Sequence, residues 1–240
     1  MCTLVAVLFD GQLLKEAGCF KLISCHSLSF NEKLRRTERR LEFNVAALKE
    51  AIAEAAHQPS ANVVSITKLA EGGFNRILQA TMTNDSIILA RLPYPNTVPK
   101  TYAVASEVAT LDFLRLHDIP VPKVLGYAAT ADNPVGAEYI LMEKMEGTPL
   151  GDVWFSMSNK ERLSIMRQLI GLEKLFFDLQ LPASGSIYYQ EDLRAGEKPV
   201  AIEGASLQGK PFVIGPTAQY EWWYQERKQI DADRGPCMLA

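Results

Sequence analysis

The sequence predicts an α+β fold in which a five-stranded antiparallel sheet with an accompanying helix is followed by an incomplete, mainly helical segment. Short runs rich in β-branched residues, separated by turn residues, indicate the sheet. A long stretch with apolar residues at helical spacing indicates the later helix. The 240 residues are 48% hydrophobic and 22% charged, a composition typical of one large globular domain or two lobes.

The predicted elements follow a simple order. A helix over residues 44–57 has Asn44 as its N-cap, and a second helix covers residues 103–117. A capping box of Ser158 and Glu161 opens a third helix that runs to about residue 180. Beyond it, GSIYY and FVIGP are interpreted as a hairpin and EWWYQERKQI as a helix. The predicted strands are residues 63–69, 76–82, 87–92, 121–128 and 138–142.

Composition excludes several classes of function. The net charge of −3 gives no basic face for nucleic acid. A cluster of cations at residues 33–40 is interleaved with glutamates and indicates a solvated helix face. The four cysteines lack metal-binding spacing and are typical of a reducing compartment. No apolar run approaches the roughly 20 residues that span a bilayer.

Two isolated charges on apolar elements suggest a functional pair. Glu107 falls inside the apolar stripe of its helix, between Leu111 and Leu114, and Arg91 ends the apolar strand IILARL. Because burial of a lone carboxylate is costly, we expect Glu107 to pair with Arg91. The alternative is that Glu107 lies at the edge of the stripe and reaches water.

The double glycine before the second strand, Gly72–Gly73, has two interpretations. It is either an ordinary tight hairpin or a loop whose backbone N–H groups approach phosphates. With a cation on the third strand and a carboxylate on the next helix, the order of elements favours the nucleotide-holding half of a kinase-like fold.

The adjoining motifs EGGFN, ILARLP, ASEVATLDFLR, IPVPKVLGYA, NPVGAEYILMEKMEGTPLGDVW and SGSIYY make the chain similar to the aminoglycoside phosphotransferase-like family. Over residues 31–236 it resembles the fungal altered-inheritance-of-mitochondria branch of that family. The resemblance implies a phosphate loop, a phosphate-facing cation with its helix partner, and an inter-lobe hinge that holds the adenine edge. The residues concerned are Gly72, Gly73, Phe74 and Asn75 for the loop, Arg91 with Glu107, and Met142, Glu143, Lys144 and Met145 for the hinge.

The resemblance also divides the chain into segments and implies ATP and magnesium as cofactors. Residues 1–30 are an unmatched segment, 31–60 a leading helical segment, 61–143 the N-lobe, 144–151 the hinge and 152–240 a partial C-lobe. No catalytic loop of the form H-x-D-x-x-x-x-N and no later metal-binding Asp is found. His117–Asp118 is the one His-Asp neighbour, and we interpret it as a helix terminus.

The expected activity follows from that absence. The family transfers the ATP γ-phosphate to a small hydroxylated acceptor, whereas this chain is expected to be C-terminally truncated, catalytically inactive and at best a weak nucleotide binder. The alternatives are a non-catalytic kinase-fold binding module, a mitochondrial maintenance protein, or a product without function. Whether the chain is an enzyme stays open.

Two further expectations concern location and association. The resemblance implies mitochondria, although the first thirty residues lack the arginines of a presequence, which leaves the cytoplasm as an alternative. The helix that begins at Ser158 is apolar on more than one side, so we expect the chain to self-associate through it.

Overall fold

The structure, a computed structural model, describes residues 37–238 and the backbone of residues 20–22. Strand β1 (Phe20–Leu22) pairs antiparallel with β2 (Leu41–Phe43), and helix α1 (Val45–Ala55) follows. The N-cap prediction is confirmed, because Oδ1 of Asn44 accepts a hydrogen bond from the Ala47 N–H at 3.1 Å. Most of the unmatched segment 1–30 lies outside the described residues.

A five-stranded sheet forms the centre of the fold. Its spatial order is β3-β4-β5-β7-β6, and every neighbouring pair is antiparallel, which confirms the predicted sheet. The strands are β3 (Val63–Glu71), β4 (Asn75–Met82), β5 (Ile87–Pro93), β6 (Val124–Ala128) and β7 (Tyr139–Glu143).

The two faces of this sheet differ in burial. Along β4, burial alternates between half-buried and buried residues, as the pleat of a strand requires. The buried set, which includes Leu78 and Ala80, forms a core with Leu48 and Ile52 of α1. The opposite set, which begins with Asn75, is only half-buried. One face of the sheet is therefore sealed by α1, and the other remains partly open above β4 and β5.

Helix α2 (Tyr102–Leu116) packs against the β6–β7 end of the open face. Its start is held by the buried carboxylate of Glu138, which accepts from the Thr101 N–H at 2.8 Å and from Lys100 Nζ at 3.0 Å. The predicted stripe was wrong at Leu111 and Leu114, which are only half-buried. The prediction is confirmed at the other two members of the stripe, Val104 and Val108. The buried positions of α2 are Tyr102, Val104, Ala105, Ser106, Val108, Ala109 and Phe113.

A second sheet corrects the expected helical C-lobe. After α3 (Leu150–Val153) and α4 (Asn159–Asp178), the chain forms β9 (Ser186–Tyr189), β10 (Val200–Leu207) and β11 (Lys210–Gly215), in the spatial order β10-β11-β9. GSIYY and FVIGP do pair, but β10 lies between them in the chain and forms the hairpin with β11. Two short strands, β8 (Ala183–Ser184) and β12 (Cys237–Met238), also pair.

The segment EWWYQERKQI also differs from its prediction. It forms two short 3-10 turns, Tyr220–Trp222 and Gln225–Gln229, instead of one α-helix. Gln225 has a φ of 51°, which lies in the left-handed region and interrupts any right-handed helix.

The second sheet is held on α2 by aromatic packing and by tyrosine–carboxylate hydrogen bonds. Phe212 of β11 meets Phe113 of α2 edge-on, with ring centroids 5.5 Å apart. Tyr189 Oη donates to Oδ2 of Asp112 at 2.8 Å, and Tyr127 Oη of β6 donates to Oδ2 of Asp192 at 2.8 Å. Burial raises the pKa of both carboxyls, although each accepts a bond from its tyrosine.

This raised pKa gives Asp112→Asn a pH-dependent effect. A carboxyl group whose pKa is raised in the folded state stabilises that state at pH values below its ordinary pKa of about 3.9. This stabilisation is lost as the pH rises through the raised pKa of the folded state. Asparagine stays neutral and still offers an oxygen to Tyr189. We therefore expect the stability of the variant relative to the parent chain to increase from pH 4 to pH 8, measured by urea unfolding.

The exposed Asp132→Asn variant is the matched control and should show no such trend. A relative stability of Asp112→Asn that is constant, or that decreases toward pH 8, would contradict the assigned direction. The nearby cations Arg115, Lys123 and Lys210 lower the pKa of Asp112, so they work against the trend without reversing it.

Candidate functional site

The bend between β3 and β4 is open on its outer side. The Gly72 N–H donates to the Asn75 carbonyl at 2.9 Å, which closes the bend. A Cβ placed on Gly72 or Gly73 would have no heavy atom within 4 Å, and neither glycine has a φ in the left-handed region. The glycines are therefore not required by packing or by backbone conformation, but they leave room for a ligand to approach the backbone.

Arg91 and Glu107 form the ion pair expected from the sequence. Arg91 lies on β5 between Ile77 of β4 and Ile140 of β7, on the open face of the sheet. The side chains of Arg91 and Glu107 are 24% and 27% exposed, so Glu107 is paired but lies at the edge of the buried face of α2, not inside it. Both interpretations made from the sequence are thus partly correct.

Asn75 joins the bend to this ion pair. When its amide is oriented with the oxygen toward the guanidinium, that oxygen accepts from Arg91 Nη2 at 2.8 Å and from Nε at 3.3 Å. Asn75 is opposite Pro93 and Ile77 is opposite Arg91, so Asn75 and Arg91 are diagonal neighbours on one face. Residue types alone did not show this contact, which follows from the strand register.

The three side chains, which we call the Arg91 cluster, can hold an anion. A guanidinium keeps its charge at all physiological pH values, and Glu107 and Asn75 fix its position. Because the side chains of Arg91 and Glu107 are about one quarter exposed, an anion could reach the guanidinium from the open face of the sheet.

Phe74 anchors the other side of the bend. Its carbonyl accepts from the Tyr94 N–H at 2.9 Å and from Thr97 Oγ1 at 2.6 Å. Its half-exposed ring meets Tyr220 edge-on, with centroids 4.9 Å apart. Tyr220 and Thr97 were not singled out from the sequence, because nothing in their local patterns points to a contact so distant along the chain.

The predicted hinge residues have different environments. Met142 is opposite Leu89, which places it on the same face as Arg91. The Glu143 N–H already donates to the Lys123 carbonyl at 3.0 Å, so it is used within the protein. Lys144 Nζ donates to Oε1 of Gln79 on the open face at 3.2 Å, and Met145 is exposed. An adenine-holding role for this hinge remains a prediction.

The remaining site predictions concern catalysis and metal. His117 caps the C-terminus of α2 and Asp118 follows with a φ of 58°, which confirms the interpretation of this pair as a helix terminus. Within residues 37–238, no three His, Cys, Asp or Glu side chains gather as metal ligands. The roles expected for ATP and magnesium therefore stay predictions.

No protein-family model matches the chain. It is 44% identical over 176 residues to a subtelomeric hrmA-associated cluster protein of Aspergillus fumigatus, covering 73% of this chain and 33% of that protein. It is 30% identical over 195 residues to altered inheritance of mitochondria protein 9 of Saccharomyces cerevisiae, covering 72% and 31%. The corresponding Yarrowia lipolytica protein is 26% identical over 232 residues, covering 88% and 40%.

The chain thus spans about a third of the length of the first curated relatives it matches. The names of the altered-inheritance proteins include the word mitochondrial, which supports the mitochondrial localisation expected from the sequence. None of the helices within residues 37–238 has the length and apolarity needed to cross a bilayer. The chain is thus similar to the fungal proteins named altered inheritance of mitochondria protein 9.

Proposed function

We propose that this chain is a kinase-like, non-catalytic module that binds the phosphates of a nucleotide within a fungal mitochondrial protein. The observation that carries the proposal is the Arg91 cluster, in which Arg91 is fixed by Glu107 and Asn75 beneath an open glycine bend. The order of sheet, cation and helix carboxylate agrees with the aminoglycoside phosphotransferase-like resemblance noted in the sequence.

The open face of the sheet provides the rest of the proposed site. Leu89 and Met142 lie on the same face as Arg91 and are half-buried, so they would cover the apolar base of the nucleotide. The phosphates would then lie toward Arg91 and the bend. Since one cation already paired with a carboxylate supplies the main charge, we expect a dissociation constant of the order of a millimolar, or about −4 kcal/mol.

Replacement of Arg91 by alanine is expected to abolish nucleotide binding. ATP at about ten times its dissociation constant stabilises a binding protein by about 1.4 kcal/mol. For a chain of this size this corresponds to a rise in Tm of about 3–6 °C. We expect this rise in a thermal-shift titration of the parent chain with ATP, in the presence or absence of magnesium, and no rise for Arg91→Ala.

Arg40→Ala is the matched control, since Arg40 also pairs with a carboxylate, that of Glu42 on β2, but is remote in sequence from the cluster. Arg91→Lys keeps the charge and shows whether loss of binding reflects the cation or a folding defect. Inorganic pyrophosphate should give part of the shift, and adenosine should give less. An unchanged ATP shift in Arg91→Ala, or a larger shift with adenosine than with pyrophosphate, would contradict the phosphate-facing role.

A second candidate function is favoured by the relatives. Several of them are named for altered inheritance of mitochondria, so we also propose that this chain contributes to mitochondrial inheritance. Expression of this chain in a yeast strain that lacks its own relative tests this proposal, with the fraction of cells that lose mitochondrial DNA as the readout. No rescue by a chain that is present in mitochondria would count against it.

Phosphoryl transfer to a small hydroxylated acceptor is the further activity that the resemblance implies. The Arg91 cluster could position the phosphates for it, but the described residues contain no ligand set for magnesium. Nucleotide binding and self-association through α4 do not depend on this activity, and each can be tested separately.

A further inference from the structure

Helix α4 presents a long apolar face that nothing in the described chain covers. None of its twenty residues is buried, and Phe177 is 83% and Ile170 60% exposed. On a helical wheel its apolar residues fill about half of the circumference. The helix is about 30 Å long, so this face is larger than the scattered apolar residues of an ordinary protein surface.

Two opposite charges lie in the middle of this apolar face. Arg162 is near the start of α4 and Glu173 is three turns later, and both project within the apolar half of the wheel. A charge covered by an apolar partner would lose its hydration without compensation. Because Arg162 already donates to two backbone carbonyls, the stronger requirement is a cation opposite Glu173, and an anion opposite Arg162 would add a further contact.

A second copy of α4 meets this requirement if it lies antiparallel. About a two-fold axis midway between Arg167 and Gln168, Arg162 of one copy is opposite Glu173 of the other. The same axis places six apolar positions in the middle of α4 opposite one another, whereas Leu175, Phe176 and Phe177 fall opposite Lys160, Asn159 and Ser158. The matched pairs are Leu163 with Leu172, Ile165 with Ile170, and Met166 with Leu169.

A parallel, in-register pair does not give this agreement. In a parallel pair, Arg162 would be opposite Arg162 and Glu173 opposite Glu173, and like charges opposite each other destabilise an interface. We propose that the apolar face of α4 is a homodimer interface, in which α4 of a second copy lies antiparallel and Arg162 and Glu173 pair between copies.

The present contacts of Arg162 are compatible with this pairing. Its Nε donates to the Trp154 carbonyl at 2.9 Å and its Nη2 to the Phe155 carbonyl at 3.2 Å, which fix the guanidinium at the start of α4. Nη1 has the longest contact, at 3.4 Å to Oδ1 of Asn159, and a carboxylate of the second copy can replace it.

Charge exchange tests the proposal on the full chain by analytical ultracentrifugation. The parent chain should be dimeric at about 100 μM, because this concentration is well above the expected dissociation constant of a few micromolar. The dimer contains two Arg162–Glu173 contacts, and either Arg162→Glu or Glu173→Arg brings like charges together at both of them. The dissociation constant of the homodimer should therefore rise at least about 100-fold for each variant alone. An equimolar mixture of the two variants should recover the dimer mass, because both contacts then join opposite charges.

Two further variants keep the test decisive. The double variant Arg162→Glu with Glu173→Arg should form homodimers again, even though Arg162→Glu alone also loses the carbonyl contacts. Arg167→Glu makes the same charge change outside the apolar half of the wheel and should stay dimeric. The proposal is overturned by a monomeric parent chain, by open-ended aggregates in place of a dimer, by single variants that dimerise unchanged, or by a mixture that stays monomeric.

Discussion

Phe113→Ala is expected to lower the free energy of unfolding by about 3–5 kcal/mol, the usual cost of deleting a buried aromatic ring. Phe113 is 2% exposed and forms part of the core that joins α2 to Ile140 of β7 and to Phe212 and Ile214 of β11. Since small domains are stable by about 5–15 kcal/mol, this single change removes a large fraction of the total.

Urea unfolding followed by circular dichroism measures this loss. Phe155→Ala is the matched control, because that ring is 89% exposed and its removal should change stability by less than about 0.5 kcal/mol. A loss below about 1 kcal/mol for Phe113→Ala would mean that the second sheet does not pack on α2 as described.

Gly185→Ala is expected to destabilise the second sheet through a backbone clash. A Cβ at this position would lie 2.4 Å from the Gly215 carbonyl oxygen and 2.7 Å from Cγ2 of Ile214. Because the nearest atom belongs to the backbone of β11, the β9–β11 pairing must shift, with a cost of about 1–3 kcal/mol or more. The loss would appear as a lower midpoint in urea.

Gly171→Ala provides a control of the opposite sign. Gly171 lies inside α4, where a Cβ would meet nothing within 4 Å, so alanine should stabilise the helix by about 0.5–1 kcal/mol. If Gly185→Ala fails to lower the stability of the chain, the close approach of Gly185 to β11 is wrong.

Local patterns were sufficient to predict much of the fold. The strand predicted at residues 76–82, the Asn44 cap and the capping box of Ser158 and Glu161 are all present as expected. These features depend on residues that are close together in sequence, so they can be predicted without knowledge of the tertiary contacts. The Arg91–Glu107 pair was also foreseen, because a charge on an apolar element requires a partner.

The errors arise where tertiary contacts decide the outcome. Strand β10 was missed because Gly204 has a φ of 72° and the register with β11 shifts between Ala201 and Ser206. This irregularity removes the regular alternation that identifies a strand. The buried face of α2 was wrong at Leu111 and Leu114, because the second sheet packs beside Ala105 and Ala109, where small side chains let another element approach.

The position of α2 between two sheets has a thermodynamic consequence. Tyr102, Val108 and Phe113 bury their side chains in cores that include residues of β9 or β11, and Ile140 of the first sheet shares one of those cores. Both sheets thus share buried cores with α2. We therefore expect that neither sheet unfolds independently of the other. The chain should therefore lose both sheets in one cooperative step, and a ligand that binds at the Arg91 end would stabilise the second sheet against this global unfolding as well.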